Sequence, residues 1–381
     1  MNSIIKVVIA IVVLIVLIWG ISALVSKDAK PAEVGTYKIG FILPLTGDAA
    51  AYGEPGRNVY ALAVEEINKS GGVNGKQLEA IYEDGKCSGK DAANAMQKLA
   101  NVDKVQIVIG GFCSGESLAA IPIAETAKVA LFSPGSSSPD LTGKSPYFFR
   151  NYPSDATQGR VLAELAYNVK KWKKVAVIQE QSDYALGNYK AFSENFNKLG
   201  GTTVKEEFPS DTTDFKTILT KLKNQNPEAL FVDPQTPANT ERILKQLSDL
   251  KWKPALLMND ISIDMKLVEG NKAILEGAFA AEFGVDPTNP KFARMAEVYK
   301  SKHVTDVPFP SYAQTEYDAV FLIADAIKAV GYGGEKIAAW SRTVKDWSGA
   351  SGNTTIEQTG DRAGGHVPKV IKDGKVELFV Q

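Results

Sequence analysis

From Tyr37 onward, short apolar runs alternate with segments of helical spacing, and this rhythm constrains the fold more than any other feature of the chain. Lys38–Leu43, Leu78–Glu83, Val105–Ile109 and Val129–Phe132 read as strands. Between them, Gly56–Asn68, a segment opening at Ser88 and running to Ala100, and Leu118–Ala127 read as helices with one apolar face. The rhythm restarts with strands at Val175–Ile178, Ala229–Val232, Ala255–Met258 and Gly277–Ala280. The helices of this second series are Gly187–Lys198, Phe215–Asn224 and Pro237–Leu250. Strands joined through helices pair in parallel, because a parallel pair needs a long crossover. Two such series predict an α/β protein of two similar lobes. Ligands of open parallel sheets sit beyond the carboxyl ends of the strands. Tyr52, in the small-residue loop Thr46–Pro55, and Tyr184, in the loop after Val175–Ile178, lie at such ends.

One strand end carries more chemistry than the others. Val108-Ile109-Gly110-Gly111-Phe112-Cys113-Ser114-Gly115-Glu116-Ser117 takes an apolar run through two glycines into the start of a helix. The first turn of a helix has free N–H groups and a partial positive charge, which together attract anions. Ser114 adds a hydroxyl, so the stretch reads as a receptor for a carboxylate, with an ordinary capped turn as the alternative. Ser114 does not read as a nucleophile, which needs a base within hydrogen-bond reach. The chain has two histidines, His303 in a polar segment and His366 near the C-terminal strands. No catalytic residue, metal site or cofactor is expected, and the chain reads as a binder, not an enzyme.

Other properties bound the partners. A chain of 381 residues exceeds one small core, which suggests two domains. Its 43 basic and 44 acidic residues leave no basic excess for nucleic acid. Val7–Val25 is uncharged and long enough to cross a bilayer as a helix. Ile21-Ser22-Ala23 is a poor cleavage site, and no cysteine follows for lipid attachment. Residues 1–35 therefore read as a retained single-pass N-terminal transmembrane helix and linker in the cell membrane, with the rest extracytoplasmic. The alternative is a removed signal and a secreted or periplasmic protein.

Several motifs occur in a specific order: Ile42-Leu43-Pro44-Leu45-Thr46-Gly47 with Tyr52-Gly53, Glu65-Glu66-Ile67-Asn68 with Gly71-Gly72-Val73-Asn74-Gly75, Ile109 through Ser114, and Phe132-Ser133-Pro134. Gly360-Asp361-Arg362 and Val370-Ile371-Lys372-Asp373-Gly374-Lys375 complete the set. With these motifs the sequence, over Tyr37–Val380, resembles the branched-chain amino-acid-binding proteins, type I solute-binding components of ATP-driven (ABC) importers. The resemblance implies the type I periplasmic-binding-protein fold, two Rossmann-like lobes with parallel-sheet cores. Three hinge crossings would join them near Pro153, Phe283 and Thr355, with lobe 1 as 36–152 plus 283–354 and lobe 2 as 153–282 plus 355–381. A small amino acid, aliphatic or branched-chain, would bind between the lobes and be delivered to membrane permease subunits by a monomer.

The resemblance also implies a site. Ser114 and neighbouring N–H groups would hold the ligand carboxylate, and the Gly135 carbonyl and Asp260 carboxylate its ammonium. Ser137 stands in place of a ligand-binding threonine, Tyr52 and Tyr184 would cover the ligand, and Asp155 lies near a crossing. Gln235, in Asp233-Pro234-Gln235, stands where aromatic residues are common and is a further contact. Cys87 and Cys113 would form a disulfide, as is common in the family, with two free thiols as the alternative. Other roles on the same fold are a ligand-sensing receptor, or a binder of an amide, urea or an aromatic acid.

Overall fold

The computed structural model describes residues 35–380. The apolar run over 7–25, read above as an anchor, lies outside them. Among the described residues no helix is long and apolar enough to cross a membrane.

The first series forms β1 (Tyr37–Leu43), α1 (Ala50–Lys69), β2 (Leu78–Asp84), α2 (Gly89–Asn101), β3 (Ile107–Ile109), α3 (Ser114–Ala127), β4 (Ala130–Ser133) and β5 (Phe148–Arg150). Its five strands make one parallel sheet in the order β2-β1-β3-β4-β5. The second series forms α4 (Asp155–Glu164), β6 (Lys174–Glu180), α5 (Asp183–Lys198), β7 (Thr202–Phe208), α6 (Lys216–Lys223), β8 (Ala229–Asp233), α7 (Pro237–Asp249) and β9 (Ala255–Met258). Two short helices, α8 (Met265–Gly270) and α9 (Lys272–Leu275), lead to β10 (Phe279–Phe283). The chain then adds α10 (Pro290–His303), α11 (Pro310–Val330), α12 (Gly334–Ser341) and a hairpin of β11 (Trp347–Gly349) and β12 (Gly352–Thr354) to the first lobe. It ends in β13 (His366–Lys372) and β14 (Lys375–Leu378), which join the second sheet antiparallel to β10 and to each other.

The parallel part of the second sheet runs β7-β6-β8-β9-β10, the same order as the first. Each sheet is covered on both faces. Phe41, Phe132 and Phe149 pack toward α1, α10 and α11, while Ile42, Val108 and Leu131 pack toward α2 and α3. In the second sheet Leu230 and Val232 meet α6 and α7, and Val177 and Phe231 meet α4 and α5. Burial on both faces explains why the central strands read as unbroken apolar runs. Strand order reverses between β1 and β3, and again between β6 and β8, which places a ligand crevice at each of these points. The chain passes between the sheets through 151–154, 284–289 and 355–365.

Three helices start earlier than their spacing suggests. α1 begins at Ala50, so Tyr52 lies in its first turn and not in a loop. Gly53 and Pro55 mask that start, yet Gly53 is needed there, because a Cβ would lie 2.0 Å from the Pro44 carbonyl oxygen. α5 begins at Asp183, capped by Ser182, which moves Tyr184 from the expected loop into a helical first turn. α3 begins at Ser114 itself, four residues before the apolar face becomes legible.

Candidate functional site

The turn between β3 and α3 is built by backbone freedom and one buried acid. Gly110 has φ +138°, and a Cβ there would lie 2.3 Å from the Ile42 carbonyl oxygen. Cys113 caps α3 and Ser114 is its first residue. Glu116 reaches back, one oxygen accepting from Cys113 N at 2.9 Å and the other from Cys87 N at 2.9 Å. Its carboxyl is pushed up to about 7 by burial, against the pull of these backbone donors. Cys87 and Cys113 are joined in a disulfide with their Cα atoms 5.3 Å apart. The turn is thus tied to the loop after β2 by a covalent bond and by the two arms of one carboxylate. Ser114 Oγ accepts from Ser138 N at 3.1 Å, and Ser136 Oγ donates to Gly111 O at 2.8 Å, which fixes the loop after β4 against the same turn.

A cavity with about 270 Å³ of free space, its mouth included, lies between the two sheets. Ser114, Gly135, Ser137 and Tyr52 line it from the first lobe, Tyr184 and Gln235 from the second. Tyr52, Ser114, Tyr184 and Gln235 follow β1, β3, β6 and β8, the strands that flank the two switch points. Phe112, Ile261 and Tyr312 supply apolar wall. Tyr52 stacks on Phe112 with ring centroids 5.2 Å apart, and its buried hydroxyl has no partner. The Gln235 side chain reaches across to the Cys87 sulfur, while its backbone N–H donates to Glu180 at 2.8 Å.

Asp155 and Asp260 lie behind this wall. Asp260 accepts from the hydroxyls of Tyr152 at 2.7 Å, Tyr184 at 2.7 Å and Tyr312 at 2.9 Å, and from Ile261 N at 3.0 Å. All three tyrosines are held well above the usual phenol range, first by burial and then by the charge of Asp260, so they keep their protons and donate. Asp155 caps the chain passage at 151–154, its N–H donating to Ser137 O at 2.8 Å. It is fully buried, and its carboxylate is faced by the Ser137 side chain, whose hydrogen bond favours the ionised form. Burial, then the charge of Asp260, raises its carboxyl well above the ordinary range.

His366, at the head of β13, completes the group. Its Nε2 is 3.7 Å from Asp155 and 4.0 Å from Asp260, and its Nδ1 is 2.8 Å from Thr157 Oγ1. Burial lowers the imidazole to about 4. Asp155, Asp260 and His366 have ligand atoms within 4.8 Å of one another, the one grouping with metal-ligand character among the described residues. Sequence reasoning placed His366 only near the C-terminal strands and missed Tyr152, Tyr312 and Phe112. The sole local signal was Tyr152 beside Pro153 at the expected crossing.

Comparison with known proteins fits this geometry. A family model described as periplasmic binding protein matches residues 36–367. The leucine-, isoleucine-, valine-, threonine-, and alanine-binding protein of Pseudomonas aeruginosa is 27% identical over 331 residues, covering 86% of this chain and 87% of that protein. The crystal structure of the leucine binding protein LivK from Thermotoga maritima superposes with a TM-score of 0.83 at 29% identity, covering 90% of this chain and 98% of that one. The branched-chain amino acid transporter substrate binding protein LivJ from Streptococcus pneumoniae, in complex with isoleucine, gives 0.80 at 28% identity over 90% and 98% of the two chains. A match over nearly the whole described fold, on the two-sheet scaffold that forms the cleft, establishes that the chain belongs to the periplasmic binding protein family.

Proposed function

We propose that this protein is the extracytoplasmic solute-binding component of an ABC-type importer, and that it captures a small aliphatic amino acid between its lobes for delivery to a permease. The observation that carries this reading is the polarity of the cleft. A helix N-terminus with the Ser114 hydroxyl stands on one side, and the buried acids Asp155 and Asp260 stand behind the other. An α-amino acid presents a carboxylate and an ammonium to such a pair of ends, and burial of an ammonium needs an opposite charge or several acceptors. Gly135 and Ser137 line the same cavity as Ser114. The aromatic and aliphatic wall of Phe112, Ile261 and Tyr312 suits an apolar side chain. The relatives named for leucine, isoleucine and valine support that ligand class.

In this reading the passages at 151–154, 284–289 and 355–365 are the hinge, with lobes 36–152 plus 284–354 and 153–283 plus 355–381 closing on the ligand; the boundary expected at 283 moves by one residue because Phe283 pairs with His366 in the second sheet. The run over 7–25 tethers a monomer to the membrane. No covalent step is involved: Ser114 Oγ is engaged by Ser138 N, and the His366 Nε2 faces carboxylates. The test is ligand-induced thermal stabilisation, since a solute that binds only the folded state raises its melting temperature. L-leucine, L-isoleucine or L-valine is expected to raise it. Ser114→Ala is expected to weaken affinity about tenfold through loss of a charge-assisted hydrogen bond. Unchanged affinity in that variant would remove Ser114 from the carboxylate end.

A further inference from the structure

The chain is close to neutral, at −1, but its charge is not evenly spread. In the second sheet the parallel strands β6, β7, β8 and β9 all start at the end opposite the cleft, so the segments that lead into them meet there. Backbone bonds tie these segments together: Thr202 N donates to Lys173 O at 2.8 Å, and Glu228 N to Lys174 O at 2.9 Å. Segments 170–174, 198–201, 221–228 and 249–254 carry nine lysines, all but Lys174 exposed, against two acids. Of the nine, only Lys221 is in an ion pair among the described residues, with Glu206 at 3.3 Å. Both acids are engaged. Glu228 accepts Lys173 N at 2.5 Å and Lys174 N at 2.9 Å, and Asp249 lies 4.0 Å from Lys216. At the matching end of the first lobe, by contrast, Lys69 is paired with Glu65, and Lys98 with Glu83 and Asp103.

Lysines in the last turn of a helix complement its dipole, which accounts for Lys198, Lys221 and Lys223 at the ends of α5 and α6. Lys171, Lys173, Lys174 and Lys253 lie outside the helices, so capping does not explain them. Two half-buried tryptophans sit among the lysines. Trp172 stands between Lys171 and Lys173 and packs on the core under α4 and α5, and Trp252 stands between Lys251 and Lys253 and packs on the core under α6 and α7. Lysine stems lie along further rings, with Lys170 Nζ 4.9 Å from the Phe279 ring centre and Lys173 Nζ 3.1 Å from that of Tyr167. Stems on apolar surface with their heads in water suit a boundary between apolar and polar phases. Tryptophan is enriched at the headgroup level of a bilayer, and each lysine near an anionic bilayer is drawn to it.

We propose that this lysine-rich end of the second lobe docks on a bilayer that contains anionic lipid. The choice of a bilayer over a soluble polyanion rests on the reading in which the run over 7–25 tethers the protein to a membrane. β1 starts at the end of the first lobe that faces away from the cleft. A tether there and a docking surface on the second lobe bring both lobes down together and hold the cleft alongside the membrane, and the tether raises the effective concentration of the weaker contact.

Both sheets and their cores lie after residue 35, so the fold is complete without the apolar run and the test uses residues 36–381. Co-sedimentation is measured, without amino acid, on vesicles of phosphatidylcholine alone and of phosphatidylcholine with about 30% phosphatidylglycerol. Binding is expected only to the anionic vesicles, and is expected to be lost in about 0.5 M sodium chloride, where exposed charges are screened. Lys171→Glu combined with Lys173→Glu, Lys251→Glu and Lys253→Glu is expected to weaken it at least ~10-fold, with the leucine-induced rise in melting temperature unchanged. A first-lobe control with the same change in net charge, Lys76→Glu combined with Lys104→Glu, Lys128→Glu and Lys336→Glu, is expected to stay within ~3-fold of wild type. Equal loss in the two variants would reduce the effect to net charge and overturn the proposal. So would equal binding to neutral vesicles, or binding to neither kind. Retention of wild type on immobilised polyphosphate, with no binding to anionic vesicles, would assign the lysines to a soluble polyanion and overturn the bilayer. Vesicle binding can fail while leucine binding stands, so the docking surface and the amino-acid site are tested separately.

Discussion

Glu316 shows what a sealed carboxyl does to a protein of this kind. It lies in α11 against Gly56 of α1, where a Cβ would come 2.5 Å from its oxygen, and burial alone pushes it from 4.5 up to about 8. The folded state therefore holds a proton that the unfolded chain releases near 4.5. The stabilisation is complete below that value and is lost as pH rises toward about 8. Glu316→Gln is expected to flatten the fall in stability between these limits, by on the order of a few kcal/mol at the upper end. Urea unfolding at several pH values checks it, and parallel curves for the two proteins would refute it. At this scale the sequence was informative where a residue's role depends on its neighbours in the chain. The place of Ser114 at the opening of a helix could be read from Gly110, Gly111 and the segment that follows. His366, Tyr152 and Tyr312 could not, because their partners Asp155 and Asp260 are distant in sequence and meet them only through the packing of the two lobes.

The element that depends most on assembly from separate parts is the turn from β3 into α3. Its disulfide joins residues 26 apart in sequence, and Glu116 clamps the backbone N–H groups of both cysteines. Closing a loop of that length is worth about 3 kcal/mol by chain entropy. Cys87→Ser with Cys113→Ser is expected to lower stability by about that amount and to weaken ligand binding, since Ser114 follows the second cysteine directly. Denaturant unfolding with and without leucine checks both effects; a loss of stability with affinity unchanged would show that the turn is held by Glu116 alone. Strand and helix order was legible because strands buried on both faces are apolar throughout. Three helix starts were not, because first turns at the cleft carry small and polar residues such as Gly53 and Ser114, not the apolar face. β7 was missed for a related reason: an edge strand with Lys205, Glu206 and Glu207 has no apolar run.

Across the whole molecule, the two lobes approach closely at glycines. A Cβ on Gly187 of α5 would lie 2.6 Å from Ser138 Oγ and 2.8 Å from Pro139 Cδ of the opposite lobe. Near it, Lys190 meets Asp140 at 3.8 Å, and farther along the cleft Arg242 meets Asp48 at 3.5 Å. Exposed pairs of this kind contribute little each, so steric fit dominates closure. Gly187→Leu is expected to wedge the lobes apart and weaken ligand affinity at least ~10-fold without contacting the ligand, since a closed state of lower population binds more weakly in proportion. Small-angle scattering with saturating leucine checks it: the variant is expected to remain more extended than wild type, and identical curves would show that the close approach is not required.

In the reading proposed above, the cleft binds an aliphatic amino acid by its two charged ends. Isothermal titration of the ligand-free protein with L-leucine, L-isoleucine and L-valine tests it most directly. Saturable binding of at least one of them is expected at one site per chain, and it is expected to weaken sharply when either the carboxylate or the amine of the ligand is removed. Absence of heat with all three, together with saturable binding of an aromatic acid that has no amine, would contradict it.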